Sequence, residues 1–84
     1  MKVNITVEQG VTVTLDEAKF TPEFMAEFRE SFYAFNTVQE HAEFLAQMAA
    51  RGLINPTAAW VDGYGYLLHM GIDIDITYTE VYPA

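Results

Sequence analysis

The sequence predicts an α+β fold, in which two main helices and a short third helix pack on one face of a three-stranded antiparallel sheet. Three observations carry this prediction. Apolar residues alternate with polar ones near the start of the chain, two stretches with capping signals follow at helical spacing, and a second alternating stretch comes near the end. The predicted order is β-β-α-α-(α)-β, and 84 residues indicate a single domain over 1–84.

The N-terminal alternation is interpreted as a β-hairpin. Its apolar positions are all odd-numbered: Val3, Ile5, Val7, Val11, Val13 and Leu15. A three-residue loop, Glu8-Gln9-Gly10, pairs apolar with apolar positions, and Gly10 supplies the left-handed residue that such a loop needs. A two-residue loop would set valines against polar residues, so it is rejected.

The first predicted helix begins with Thr21 as its N-cap and Pro22 at its first helical position. Its apolar stripe follows at helical spacing and consists of Phe24, Met25, Phe28, Phe32 and Phe35. Asn36 and Thr37 interrupt the pattern.

The second predicted helix begins with a capping box formed by Thr37 and Glu40. Gly52 is expected to end this helix in a left-handed conformation. The stripe facing the core comprises Val38, Ala42, Leu45, Met48 and Ala49.

The last part of the chain predicts a turn, a short helix and a strand. Asn55-Pro56 is typical of a turn, and residues 66–70 suit a short helix ended by Gly71. The strand alternates Ile72, Ile74, Ile76 and Tyr78 with polar residues. Strand one is expected in the centre of the sheet, whose open face would be polar.

Twelve acidic residues against four basic ones give a net charge of −8 and a pI of about 4.3, while 51% of the residues are apolar. The apolar fraction indicates a folded domain rather than a disordered acidic tail. The charge disfavours direct binding to nucleic acid or anionic lipid and favours a basic protein surface. The candidate binding carboxylates are Glu23, Glu27, Glu30, Glu40, Glu43, Asp73 and Asp75.

The acidity also has two possible origins that do not involve a partner. Solvated helix faces are commonly charged, although ordinary surfaces mix both signs and this chain has few lysines. Adaptation to a salty cytoplasm would also favour acids, but the large apolar content argues against it.

Two aromatic features are candidate contact sites. Phe44 lies beside Glu40 on a helical wheel, away from Leu45, so it is either an interface anchor or, as we favour, covered by a later segment. Residues 60–70, from Trp60 to Met70, form either a lid over the helices or a homodimer contact.

No constellation predicts a metal, a cofactor or catalysis. The chain has no cysteine, and its two histidines, His41 and His69, do not match a metal-binding spacing. His41 is interpreted as a residue at the boundary between core and surface. Ser31 is the single serine and has no histidine near it in sequence. A non-enzymatic protein is expected.

In size, charge and compactness the whole chain resembles the small acidic inhibitors of phages and mobile elements, among which anti-CRISPR proteins are best represented. The resemblance implies a stoichiometric inhibitor without a cofactor that occupies a DNA-binding or PAM-reading groove of a CRISPR effector complex, with the Cascade type as the expected target. Its implied location is the cytoplasm of a bacterial host. The apolar content separately leads us to expect a monomer or weak homodimer. The sequence itself shows no membrane span and no signal-peptide core, so a complete, soluble, intracellular protein is expected.

Overall fold

A computed structural model describes residues 1–55 and 59–83 of the chain. It is an α+β fold with two helices and antiparallel β-pairing. The elements in chain order are strand β1 (Ile5–Thr14), a 3₁₀ turn (Glu17–Lys19), helix α1 (Pro22–Ser31), helix α2 (Val38–Ala50), strands β2 (Trp60–Val61) and β3 (Gly65–Tyr66), a 3₁₀ turn (Leu67–Met70) and strand β4 (Asp73–Pro83).

The predicted N-terminal hairpin is wrong, because residues 5–14 form one continuous strand. β1 pairs along its whole length with β4 in an antiparallel ladder that runs from Ile5–Pro83 to Thr14–Asp73. Gly10 has no positive φ and therefore makes no hairpin turn. The described residues thus contain two separate two-stranded sheets, β1-β4 and β2-β3, in place of one three-stranded sheet.

A β-bulge in the β1-β4 ladder explains why position 10 is a glycine. Gly10 pairs with Tyr78 while Val11 pairs with Ile76, which leaves Thr77 as the extra residue of β4. The Thr77 hydroxyl donates to the Gly10 carbonyl at 3.1 Å. The Tyr78 ring fills the space that a side chain at position 10 would occupy, so glycine here permits cross-strand packing rather than a turn.

Both helices begin where the sequence predicts. Thr21 Oγ1 accepts from the Phe24 backbone N–H at 3.1 Å, with Pro22 at the first helical position. Thr37 Oγ1 accepts from the Glu40 N–H at 3.2 Å. The Glu40 carboxylate accepts from the Asn36 N–H at 2.9 Å, one residue before the expected partner of a capping box.

Of the two helix C-termini, only that of α2 lies where the sequence predicts it. α2 ends as predicted, with Gly52 at φ 70°. α1 ends at Ser31, so Phe32 and Phe35, which the sequence analysis assigned to its apolar stripe, lie beyond the helix. Phe32 is exposed, whereas Phe35 folds back so that its ring stacks on Phe28 with centroids 5.7 Å apart.

The segment before β4 is a small hairpin followed by a 3₁₀ turn. β2 and β3 pair antiparallel, and Leu67–Met70 is the short helix that the sequence predicts near this position. Gly71 ends it with φ 66° in the left-handed conformation. The predicted Asn55-Pro56 turn involves Pro56, which lies outside the described residues.

The core lies between the helices, the small hairpin and one face of the β1-β4 ladder. α2 packs on both long strands. The buried hydrophobic side chains are Phe20, Met25, Phe28, Leu45, Ala49, Val61, Tyr64, Leu67, Ile72 and Ile74. Val11 and Val13 of β1 are half-buried against them.

The core covers only the proximal half of the β-ladder. The ladder's distal half, residues 5–10 and 78–83, extends beyond the helices and is called the arm. The radius of gyration is 14.9 Å, whereas a compact domain of this length has about 12 Å. The principal extents of 51 × 23 × 19 Å describe the same elongation.

Candidate interaction surfaces

The α1 acidic strip consists of Glu23, Glu27 and Glu30. All three are exposed, and helical geometry places them within an arc of about 60° along the first two turns. Arg29 lies roughly 120° around the helix from Glu23, and its Nη1 donates to the Phe35 carbonyl at 3.5 Å. No ion pair neutralises the strip within residues 1–55 and 59–83.

The predicted acidic residues of α2 are partly engaged in local structure. Glu40 is half-buried, and its Oε1 accepts from the Asn36 N–H and lies 3.3 Å from the Thr37 hydroxyl. Glu43 is exposed and accepts from Gln39 Nε2 at 3.3 Å. Glu43 is therefore accessible to a partner, whereas Glu40 primarily stabilises the start of α2.

Asp73 and Asp75 belong to a different side of the molecule. Both are exposed on β4, where they alternate with the buried Ile74. Because successive strand residues point to opposite faces and α2 packs on the Ile74 side, the two aspartates face away from α2. They pair across the ladder with Thr14 and Thr12. The predicted carboxylates are thus divided between the helical side and the open sheet face.

Phe44 is half-buried, and its cover differs from the expected one. The rings of Tyr33 and Phe35, in the connection between α1 and α2, lie 5.1 and 5.6 Å from the Phe44 ring, centroid to centroid. Phe44 also lines an open groove of about 430 Å³, called the aromatic groove. Its lining includes Phe32, Tyr33, Met48, Trp60 and Asp62.

The segment of residues 60–70 is partly lid and partly exposed. Val61, Tyr64 and Leu67 are buried in the core, which is the lid arrangement. Trp60 and Tyr66 are each 57% exposed and Leu68 is 85% exposed. The same segment therefore closes the core with some of its side chains and presents other apolar side chains at the surface.

His41 lies in the core and not at its boundary, which corrects the sequence interpretation. It is fully buried, and its Nδ1 lies 2.7 Å from the Tyr64 hydroxyl. Its Nε2 has no hydrogen-bond partner among the described residues. The signal was present in the sequence, since His41 precedes Leu45 by one helical turn and Ala49 by two.

Burial determines the charge states of the His41 and Tyr64 side chains. Desolvation lowers the pKa of His41, with the nearby Glu40 carboxylate acting in the opposite direction as the smaller effect. Desolvation raises the pKa of Tyr64. A neutral imidazole and a neutral phenol therefore share one hydrogen bond inside a cluster of aromatic rings, the nearest of which is Phe28 at 4.6 Å between centroids.

Two other kinds of feature, a cluster of metal ligands and a membrane-spanning helix, are not found in the described residues. Residues 1–55 and 59–83 hold no group of three or more His, Cys, Asp or Glu side chains suited to a metal ion. Within that same part of the chain, no helix has the length and apolar character that crossing a membrane requires. Comparison with protein-family models, curated proteins and solved structures finds no match.

Proposed function

We propose that this protein is a non-enzymatic, stoichiometric inhibitor of the anti-CRISPR type. Its acidic surface would bind a basic groove of a Cascade-type CRISPR effector complex and block the binding of target DNA. The target places the protein in the cytoplasm of a bacterial host. The proposal rests chiefly on one observation, the un-neutralised α1 acidic strip on a chain of net charge −8.

The arrangement of the strip supports the proposal physically. Glu23, Glu27 and Glu30 follow one another at about 6 and 4.5 Å along the helix axis, so a rigid element holds a row of negative charges. A groove that binds DNA presents Lys and Arg side chains to a row of phosphates. The same side chains can bind carboxylates held in a row, and Glu43 on the exposed side of α2 adds a further charge.

The decisive experiment measures affinity for a purified, guide-loaded Cascade-type complex with two double reversals. Glu23→Lys/Glu27→Lys alters the strip, and Asp73→Lys/Asp75→Lys makes the same charge change on the open sheet face. We expect the first pair to weaken binding at least about tenfold and the second pair to weaken it much less. Wild-type binding should fall steeply between about 50 and 200 mM salt.

Two results would contradict this assignment. An equal loss for the two double variants would show that net charge alone matters, and salt-independent binding would exclude an electrostatic contact. Circular dichroism of both variants checks that they fold, since all four positions are exposed and make no hydrogen bond through their side chains in the described structure.

A protein-protein interaction module is the second candidate, favoured by the exposed Trp60, Tyr66 and Leu68 and by the aromatic groove that Trp60 lines. In that case the small hairpin makes the contact, either with a partner or with a second copy. Trp60→Ala would then abolish binding while reversal of the α1 acidic strip leaves it intact. The same binding assay therefore separates the two candidates.

A further inference from the structure

The arm exposes apolar side chains that the core does not cover. Val7 is 60% exposed on β1 and Val81, its cross-strand partner, is 63% exposed on β4. Ile5 continues the same face toward the tip and is also exposed. Val3, which precedes β1, is exposed and follows the same alternation in sequence. A two-stranded ribbon without further packing is only marginally stable in water, so these residues gain from a contact.

The outer edge of β1 is free to pair. In the described residues the sheet contains only β1 and β4, so one edge of each strand carries unpaired backbone groups. Free edges pair readily with another strand. A partner strand must also carry side chains that match those of β1 at this edge.

Residues 2–8 of the chain are complementary to themselves. Outward from Ile5 in both directions, the side chains match in kind: Asn4 with Thr6, Val3 with Val7, and Lys2 with Glu8. In an antiparallel pair of identical strands with Ile5 on the two-fold axis, each residue faces its counterpart. Apolar then meets apolar, polar meets polar, and a lysine meets a glutamate.

We propose that this edge is a dimerisation surface, at which residues 2–8, the start of β1 and the three residues before it, pair antiparallel about Ile5 with the same residues of a second copy. The product is a four-stranded sheet in the order β4-β1-β1-β4, with both copies of Val3, Ile5 and Val7 on one face. A two-fold axis requires a self-complementary surface, and residues 2–8 provide one. The contact is independent of the α1 acidic strip and of the small hairpin.

The distribution of charged residues also favours a second copy of this chain as the partner. Only two of the twelve acids, Glu8 and Glu80, lie in the arm, so two copies of a chain of net charge −8 repel one another least there. Glu8 and Glu80 face each other across the ladder, which is unfavourable in the monomer. In the dimer Lys2 of the other copy lies opposite Glu8 and offsets that repulsion.

The free edge of β4 does not have this property. It carries Asp73, Asp75 and Glu80 and no basic residue, so an antiparallel pairing with itself lacks any opposite charge. A pairing centred on Tyr78 would set Ile76 against Glu80. The sequence therefore matches itself at one edge of the ladder and not at the other.

A charge exchange tests the pairing by analytical ultracentrifugation over a range of protein concentrations. Glu8→Lys places two lysines opposite each other at both ends of the contact, and we expect the dimer dissociation constant to rise roughly tenfold. Lys2→Glu combined with Glu8→Lys restores opposite charges, and we expect it to return the constant close to the wild-type value. Because Glu8→Lys removes the repulsion with Glu80, a weaker dimer cannot be attributed to a melted arm.

Disulfide cross-linking tests directly whether the two-fold axis lies at Ile5. The chain has no cysteine, so Ile5→Cys introduces one thiol per copy. Residues facing each other in either kind of antiparallel pair have Cα atoms about 4.5 to 5.5 Å apart, within the range of a disulfide. Under mild oxidation we expect Ile5→Cys to form covalent dimers much faster than Glu17→Cys, an exposed position outside the arm.

Three results would overturn the proposal. The first is a wild-type protein that stays monomeric at several hundred micromolar, the range in which even a small interface associates detectably. The second is a charge exchange that fails to restore the dimer lost in Glu8→Lys. The third is cross-linking of Ile5→Cys at the same rate as Glu17→Cys.

Discussion

His41 is a titratable side chain enclosed by aromatic rings, and this position makes its protonation unfavourable. The rings of Phe20, Phe24, Phe28, Phe35 and Tyr64 all lie within 6.0 Å of it, centroid to centroid. The Tyr64 hydroxyl is its single hydrogen-bond partner in the described structure. Because the imidazole is desolvated, the neutral form is the one that the folded protein holds.

The lowered pKa of His41 predicts that the fold loses stability as the pH falls below about 6.5. Below this pH the unfolded chain binds the proton more readily than the folded chain, so acid favours unfolding. The slope is at most about 1.4 kcal/mol per pH unit for one proton. Urea denaturation between about pH 7.5 and 5.5 measures it.

His41→Phe should flatten this pH dependence, although loss of the Tyr64 hydrogen bond lowers stability at every pH. The matched control is His69→Gln, which removes the exposed histidine and should leave the dependence as it is in the wild type. Stability that is constant over this range in the wild type would show that His41 does not carry the effect.

At the level of the element, the start of α2 depends on one hydroxyl. Thr37 Oγ1 accepts from the Glu40 N–H, and its removal leaves a helix N–H without an intramolecular acceptor. Thr37→Ala should therefore lower the free energy of unfolding by about 1 kcal/mol, as measured by urea denaturation. Thr37→Ser keeps an acceptor at the same place and should lose only a fraction of this amount. Equal losses for both variants would assign the effect to the methyl group.

Local signals predicted the helix starts and the fold class, whereas the pairing of the strands depends on distant residues. The alternation around Gly10 suits either a hairpin or a long strand. The structure adopts the strand because β4 continues past Tyr78 to Pro83 and offers a partner over the whole length. The clear alternation in the sequence stops near Tyr78, so the predicted C-terminal strand was too short to provide that partner.

The sequence also predicted only part of the candidate surfaces. Helical spacing was sufficient to group Glu23, Glu27 and Glu30, because all three lie on one element. The aromatic groove was not predictable, since Phe44 and Trp60 come from separate elements that tertiary packing brings together. The separation of Asp73 and Asp75 from the helical acids depends on which face of β4 the helices cover.

For the whole molecule, the net charge predicts opposite effects of salt on folding and on binding. Self-repulsion of a chain with net charge −8 opposes the compact state, and salt screens it. We expect the melting temperature to rise by several degrees between low and physiological ionic strength, which corresponds to about 1 kcal/mol. Differential scanning calorimetry measures it.

Asp73→Lys/Asp75→Lys reduces the net charge and should raise the melting temperature at low salt while lessening its salt dependence. A melting temperature that does not respond to salt would mean that the carboxylates are too far apart to repel. A chain that folds only at high salt would instead favour adaptation to a salty cytoplasm.

The pairing of β1 with β4 sets the order in which this fold can be completed. Gln9 Nε2 donates to Thr79 Oγ1 across 70 positions of sequence, so the ladder joins the first part of the chain to the last. Helices form from local contacts, whereas such a ladder must first close a loop of nearly the whole chain. During synthesis β1 emerges before β4, so β1 has no partner strand in its own chain until β4 has been translated. In the dimer proposed above, a neighbouring nascent β1 would offer a partner edge during that interval, so association between copies would precede the folding of either one.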